Sequence, residues 1–113
     1  MPHRKKILIL ENDDFLREIL GNILHKNNNY IINGSTIHQG IEHSIGMNID
    51  TVILGTSCID YKQKNTIHYI QTRLGLVDIY LINNQKKAVD FFPENKQMRI
   101  SELSIQEILR ELT

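Results

Sequence analysis

Cysteine is almost absent from this chain. Cys58 stands alone, so no disulfide can close within it, and the usage fits a reducing compartment. No apolar run approaches the ~20 residues that a membrane-spanning helix needs, and no signal-peptide pattern precedes Ile7. Net charge is missing as well. Thirteen Lys and Arg cancel thirteen Asp and Glu, which leaves no global field to draw in nucleic acid or an anionic membrane. The short basic stretch Pro2-His3-Arg4-Lys5-Lys6 reads as a solubilising lead-in to a first strand. No Gly-x-Gly-x-x-Gly and no Gly-x-x-x-x-Gly-Lys is present, so a dinucleotide or nucleoside-triphosphate site has no support. His38 and His43 lie five apart, while His3, His25 and His68 are scattered, and no spacing suggests a metal site. The expectation is a cytoplasmic protein with no cofactor, no bound metal, and neither nucleic acid nor membrane as partner.

What is present is the composition of an ordinary globular chain. Apolar residues make up 41% and charged residues 23% of 113 positions, enough for a single core and hence one domain over 1–113. The organising stretch is Lys5 to Leu20. Ile7-Leu8-Ile9-Leu10 is an unalternating aliphatic run, as in a strand buried on both faces. Glu11-Asn12-Asp13-Asp14 stops it. A helical repeat follows, with Phe15, Leu16, Ile19, Leu20, Ile23 and Leu24 on one stripe. The acidic turn therefore lies at the carboxyl end of a strand, where open α/β sheets place their ligands.

The same alternation continues. Tyr30-Ile31-Ile32 is a short strand broken by Gly34-Ser35-Thr36, and Ile37, Ile41 and Ile45 mark a helix closed by Gly46. Asp50 to Gly55 is a third strand and Thr56 to Lys64 a loop. Thr66 to Leu74 is a helix with Ile67, Ile70 and Leu74 inward, ended by Gly75, and Val77 to Asn83 is a fourth strand. Lys86 to Phe92 fits one or two helical turns ended by Pro93, and Met98-Arg99-Ile100 fits a short edge strand. Ser104-Ile105-Gln106-Glu107 is a capping box that opens a last helix bearing Ile105, Ile108, Leu109 and Leu112. Alternation of this kind predicts a parallel sheet covered on both faces, with right-handed crossovers.

The run Ile7-Leu8-Ile9-Leu10-Glu11-Asn12-Asp13 with Phe15-Leu16-Arg17-Glu18 resembles the opening of a response-regulator receiver domain. Asp50-Thr51-Val52-Ile53-Leu54 resembles that family's third strand, and Ser104 to Leu109 the start of its last helix. The resemblance runs from about Lys5 to Leu112 and weakens between Asn84 and Gln97. It implies a flavodoxin-like, three-layer α/β/α fold with a five-stranded parallel sheet in the order 2-1-3-4-5 and a shortened fourth crossover.

A phosphorylatable receiver needs two carboxylates after the first strand to hold a divalent cation. It also needs an aspartate nucleophile ending the third strand, a hydroxyl ending the fourth, and a lysine after the fifth to neutralise the transferred group. Carried over by position, Glu11 keeps the first acid and Asn12 replaces the second. Gly55 falls on the nucleophile, Asn83 on the hydroxyl, and Ser101, followed by Glu102, on the lysine. Asp60 lies five residues beyond Gly55, and Asp50 sits at the wrong end of its strand.

The resemblance thus points to a degenerate, pseudo-receiver member of the family. It would be a phosphorylation-independent interaction module of a bacterial two-component (phosphorelay) system, not an enzyme, whose partner is a kinase, another regulator or a second copy of itself. Phe91, Phe92 and Pro93 fall in the region that receivers use for partners, or Phe91 and Phe92 simply close the core of the shortened crossover. Two alternatives stay open: a small-ligand or enzyme-like domain exploiting an emptied pocket at Gly55 with Cys58 or Asp60, and residual phosphorylation at Asp13 or Asp60. At Gly55 itself, the bare backbone suits close approach by another group or marks a lost side chain. Glu11, Asn12 and Asp13 read as a weak cation site or, in preference, as a solvated turn with Asp13 or Asp14 capping the first helix.

Overall fold

A computed structural model describes residues 5–26, 29–55, 64–83 and 97–99. In chain order the elements are β1 (Lys6–Leu10), α1 (Asp14–Lys26), β2 (Tyr30–Gly34), α2 (Ile37–Ser44), β3 (Thr51–Gly55), α3 (Lys64–Leu74), β4 (Asp78–Asn83) and β5 (Gln97–Arg99). All strand pairings are parallel. Four strands of five or six residues lie in the order β2-β1-β3-β4, and the three-residue β5 runs along the outer side of β4 from Leu81 to Asn83.

The aliphatic runs become central strands because each is buried on both faces. Leu8, Leu10, Val52, Leu54, Ile79 and Leu81 face one layer, where Ile37 and Ile41 of α2 and Ile70 of α3 pack on them. Ile7, Ile9, Ile53 and Ile82 face the other, against Leu20 and Leu24 of α1. Successive side chains on a strand point to opposite faces, so an unbroken aliphatic run is what a sheet between two helical layers requires. This is the flavodoxin-like architecture.

Two apolar residues expected inward are not. Phe15 is 73% exposed and Ile45 43% exposed. Phe15 sits in the first turn of α1, beyond the end of β1, where no strand remains to cover it. Ile45 has already left the helix as its extended C-terminal cap. The third helix starts at Lys64, two residues before the expected Thr66, so Lys64 is not loop. The last strand is shifted one residue, to Gln97–Arg99. Gly46 and Gly75 both follow a helix with φ of +85°, the left-handed geometry that favours glycine in that place.

The loop 56–63, the expected turns over Lys86–Phe92 and the capping box with its final helix lie outside the described residues.

Candidate functional site

The register of the central strands determines what meets at the carboxyl end of the sheet. Leu10 pairs with Leu54 and with Gly34, so the next residue along β1, Glu11, comes beside Gly55 at the tip of β3. Gly55 in turn pairs with Ile82, next to Asn83 at the tip of β4. The backbone of Glu11 is pinned on two sides: its N–H donates to the Gly34 carbonyl (3.1 Å), and its own carbonyl accepts from Arg17 Nη1 (2.7 Å).

The Glu11 side chain is only 2% exposed. Its Oε1 accepts the Asp13 N–H at 3.1 Å. Oε2 lies where a side chain on residue 55 would begin: a Cβ built on Gly55 would fall 1.5 Å from Oε2 and 2.5 Å from Cδ. Glutamate at 11 in this orientation and any larger residue at 55 exclude one another. Burial raises the Glu11 carboxyl above its ordinary value, assisted by the nearby Asp13 charge; the Asp13 N–H and Arg17 pull the other way and do not offset it. The expected solvated turn is therefore corrected at its first residue. Glu11 is a core carboxyl, because the glycine opposite leaves a space that the two-methylene side chain fills.

The remaining acids of the turn serve α1. Asp13 is the N-cap: Oδ1 accepts from the Leu16 N–H at 3.1 Å, as an aspartate before a helix does. Asp14 pairs with Arg17 one turn on. The Asn12 amide reaches the Ser35 carbonyl at 3.4 Å, tying the β1–α1 turn to the β2–α2 turn. Asp50, at the opposite end of β3, accepts from the Lys6 N–H at 2.8 Å. The structure thus brings Glu11, Gly55 and the backbone of Asn83 together at one end of the sheet and turns Asn12 aside. No group of three or more His, Cys, Asp or Glu that could hold a metal occurs among the described residues. Ser101, Phe91, Phe92, Pro93, Cys58 and Asp60 lie outside the described residues.

Sequence reasoning missed a polar cluster between α2 and α3. The Tyr69 hydroxyl donates to Glu42 Oε1 at 3.0 Å, Arg73 donates to Oε2 at 2.8 Å, and His38 Nδ1 lies 3.1 Å from the same hydroxyl with the two rings stacked. Arg73 and Tyr69 together hold the Glu42 carboxyl below its usual range. The signal that could have found it is the i, i+4 spacing of His38 with Glu42 and of Tyr69 with Arg73 on two helices that cover the same sheet face.

No protein-family model and no curated protein matches the sequence. Comparison of the fold is informative. The chain is similar to a CheY-like response regulator receiver domain protein from Methanospirillum hungatei JF-1, with a TM-score of 0.80 over 97% of this chain and 91% of that one, at 11% identity. It is similar also to a response regulator from Thermotoga maritima (TM-score 0.79, 97% and 95% covered, 10% identity). A third likeness is to the N-terminal domain of a response regulator/sensory box/GGDEF 3-domain protein from Carboxydothermus hydrogenoformans (TM-score 0.73, 96% and 90% covered, 18% identity). The fold is that of response-regulator receiver domains.

Proposed function

We infer that this chain is a pseudo-receiver: a signalling module that acts by binding protein partners and takes up no phosphoryl group at the end of its third strand. The observation that carries this reading is the Glu11 carboxylate in the space next to Gly55. Phosphoryl transfer to a receiver needs a solvent-reachable carboxylate on the third strand, in line with the donor. Here residue 55 offers hydrogen, and the carboxylate beside it belongs to β1, is buried, and is biased by that burial toward its protonated, non-nucleophilic form. Asn12, Asn83 and Ser101 in place of an acid, a hydroxyl and a lysine support the same reading. So does Asp13, whose carboxylate is engaged in capping α1.

The reading takes Gln97–Arg99 as the fifth receiver strand after a shortened crossover, and Phe91, Phe92 and Pro93 as a partner face for a kinase or another regulator in a bacterial two-component pathway. It makes the domain non-enzymatic. The alternative of a ligand pocket at Gly55 is disfavoured because Glu11 already fills that room.

Beryllofluoride with Mg²⁺ mimics a phosphoryl group on a carboxylate. Added to ¹⁵N-labelled protein, it is expected to leave the amide signals of Glu11, Gly55 and Asn83 in place. Saturable shifts at those three amides would overturn the reading.

A further inference from the structure

The edge of the sheet away from β4 and β5 is formed by β2, which pairs with β1 and with no other strand among the described residues. Which backbone groups it presents outward follows from two bonds. The Tyr30 N–H donates to the Lys5 carbonyl at 2.8 Å, and the Gly34 carbonyl accepts from Glu11 at 3.1 Å, so residues 30 and 34 face β1. Strand groups alternate sides, and the N–H and C=O of Ile31 and Asn33 therefore point away from the sheet. Alongside them, between β2 and α1, lies a groove of about 490 Å³ whose lining includes Asp14, Glu18, Gly21, His25, Ile31 and Asn33.

Three features of this face match their own image under a two-fold rotation. Antiparallel pairing centred on Ile32 sets Ile31 opposite Asn33 of the second copy, and Asn33 opposite its Ile31. Every outward donor then meets an outward acceptor. The helix is also graded in charge. Glu18, exposed and without an ionic partner among the described residues, lies in its first half, while His25 and Lys26 form its basic last turn. Running two α1 helices antiparallel brings the acidic half of each toward the basic end of the other; Arg17 neutralises Asp14 within each chain, so Glu18 carries that half's charge. Finally, Gly21 sits at the middle of the groove. A Cβ there would make only ordinary contacts, 3.8 Å from Asn33 Oδ1 and from Ile31 Cγ2, so packing within the chain does not call for glycine.

We propose that the β2 edge and the adjoining α1 face bind a second copy of this chain, joining two sheets through antiparallel β2–β2 pairing. The proposal rests on the docking reading above and names one of its partners. Its test is sedimentation velocity across a concentration series, with Asn33→Pro and Glu18→Lys as variants. Proline at 33 removes an outward N–H and spares the β1–β2 ladder, so the variant keeps its fold by circular dichroism. Wild type is expected to dimerise and both variants to associate at least ten-fold more weakly. Glu18→Lys combined with Lys26→Glu is expected to restore the dimer. A wild type that stays monomeric throughout, or that binds an added extended peptide at this edge in place of its own copy, overturns the proposal. So does a dimer that Asn33→Pro leaves intact. Those results leave the phosphoryl-free docking reading standing; it fails only on beryllofluoride or phosphoryl uptake, which the sedimentation experiment does not measure.

Discussion

At the scale of single residues, the centre of this molecule is one carboxyl and one hydrogen atom. In its present orientation Glu11 occupies the place where a Cβ on residue 55 would begin, so the two positions are expected to be coupled although 44 residues separate them in sequence (55 minus 11). Gly55→Ala is expected to destabilise wild type by driving the carboxyl from its place. In a Glu11→Ala background the same change should cost little, giving a coupling energy of ~1–3 kcal/mol by urea unfolding. Additive losses would show that the two side-chain positions do not compete. The pH dependence has a definite sign. A carboxyl whose folded value is raised holds its proton more tightly in the native state, so the ionised form costs stability at neutral pH. That cost disappears as pH falls below the ordinary value of 4.5, where both states are protonated. Glu11→Gln, which keeps an acceptor for the Asp13 N–H, should therefore be more stable than wild type at pH 7 and lose that advantage by about pH 4.5. Urea midpoints of the two proteins at both pH values check it. The glycine was legible in the sequence, since Val52-Ile53-Leu54 fixes the strand that it ends. The occupant was not, because the approach of Glu11 depends on how β1 and β3 align.

At the scale of elements, the strands were readable because burial on both faces leaves an unmistakable aliphatic run, and the helices because their stripes repeat. Phe15 and Ile45 were misplaced because an apolar period does not mark where its cover ends: Phe15 lies beyond the end of β1, and at Ile45 the chain has already left the helix. Glycine spacing also hid a close crossing. A Cβ on Gly34 of β2 would fall 2.6 Å from the Cα of Gly40 in α2, and one on Gly40 would fall 2.2 Å from Leu10 Cδ2. The obstacle at 34 is backbone, which cannot swing aside, whereas the obstacle at 40 is the end of a side chain. Gly34→Ala is thus expected to cost ~1–3 kcal/mol through overpacking and to exceed Gly40→Ala in the drop of unfolding midpoint; the reverse order would place the close contact elsewhere. The Glu42, Tyr69 and Arg73 cluster ties α2 to α3 on the surface. Its contribution is full above the ordinary carboxylate range and is lost as pH falls through the lowered Glu42 value, opposite in sign to Glu11. Being exposed, it is screened by salt.

For the molecule as a whole, Glu11 fills the space beside Gly55 at the carboxyl end of the sheet, and under the function proposed above the signal is the complex that the domain forms. The overall fold was accessible from order and patterning alone, through the alternation of strands and helices around Ile7–Leu10. The partner surface proposed at β2 and α1 was not, since an edge strand and a helix face can be set side by side only once the sheet order is known. The claim is tested most directly by intact-mass measurement after incubation with acetyl phosphate and Mg²⁺, with a phosphorylatable receiver as positive control. The protein is predicted to keep its unmodified mass while the control gains a phosphoryl group. A hydroxylamine-labile phosphoryl adduct on this chain, mapped to Glu11, Asp13 or Asp60, would contradict the account.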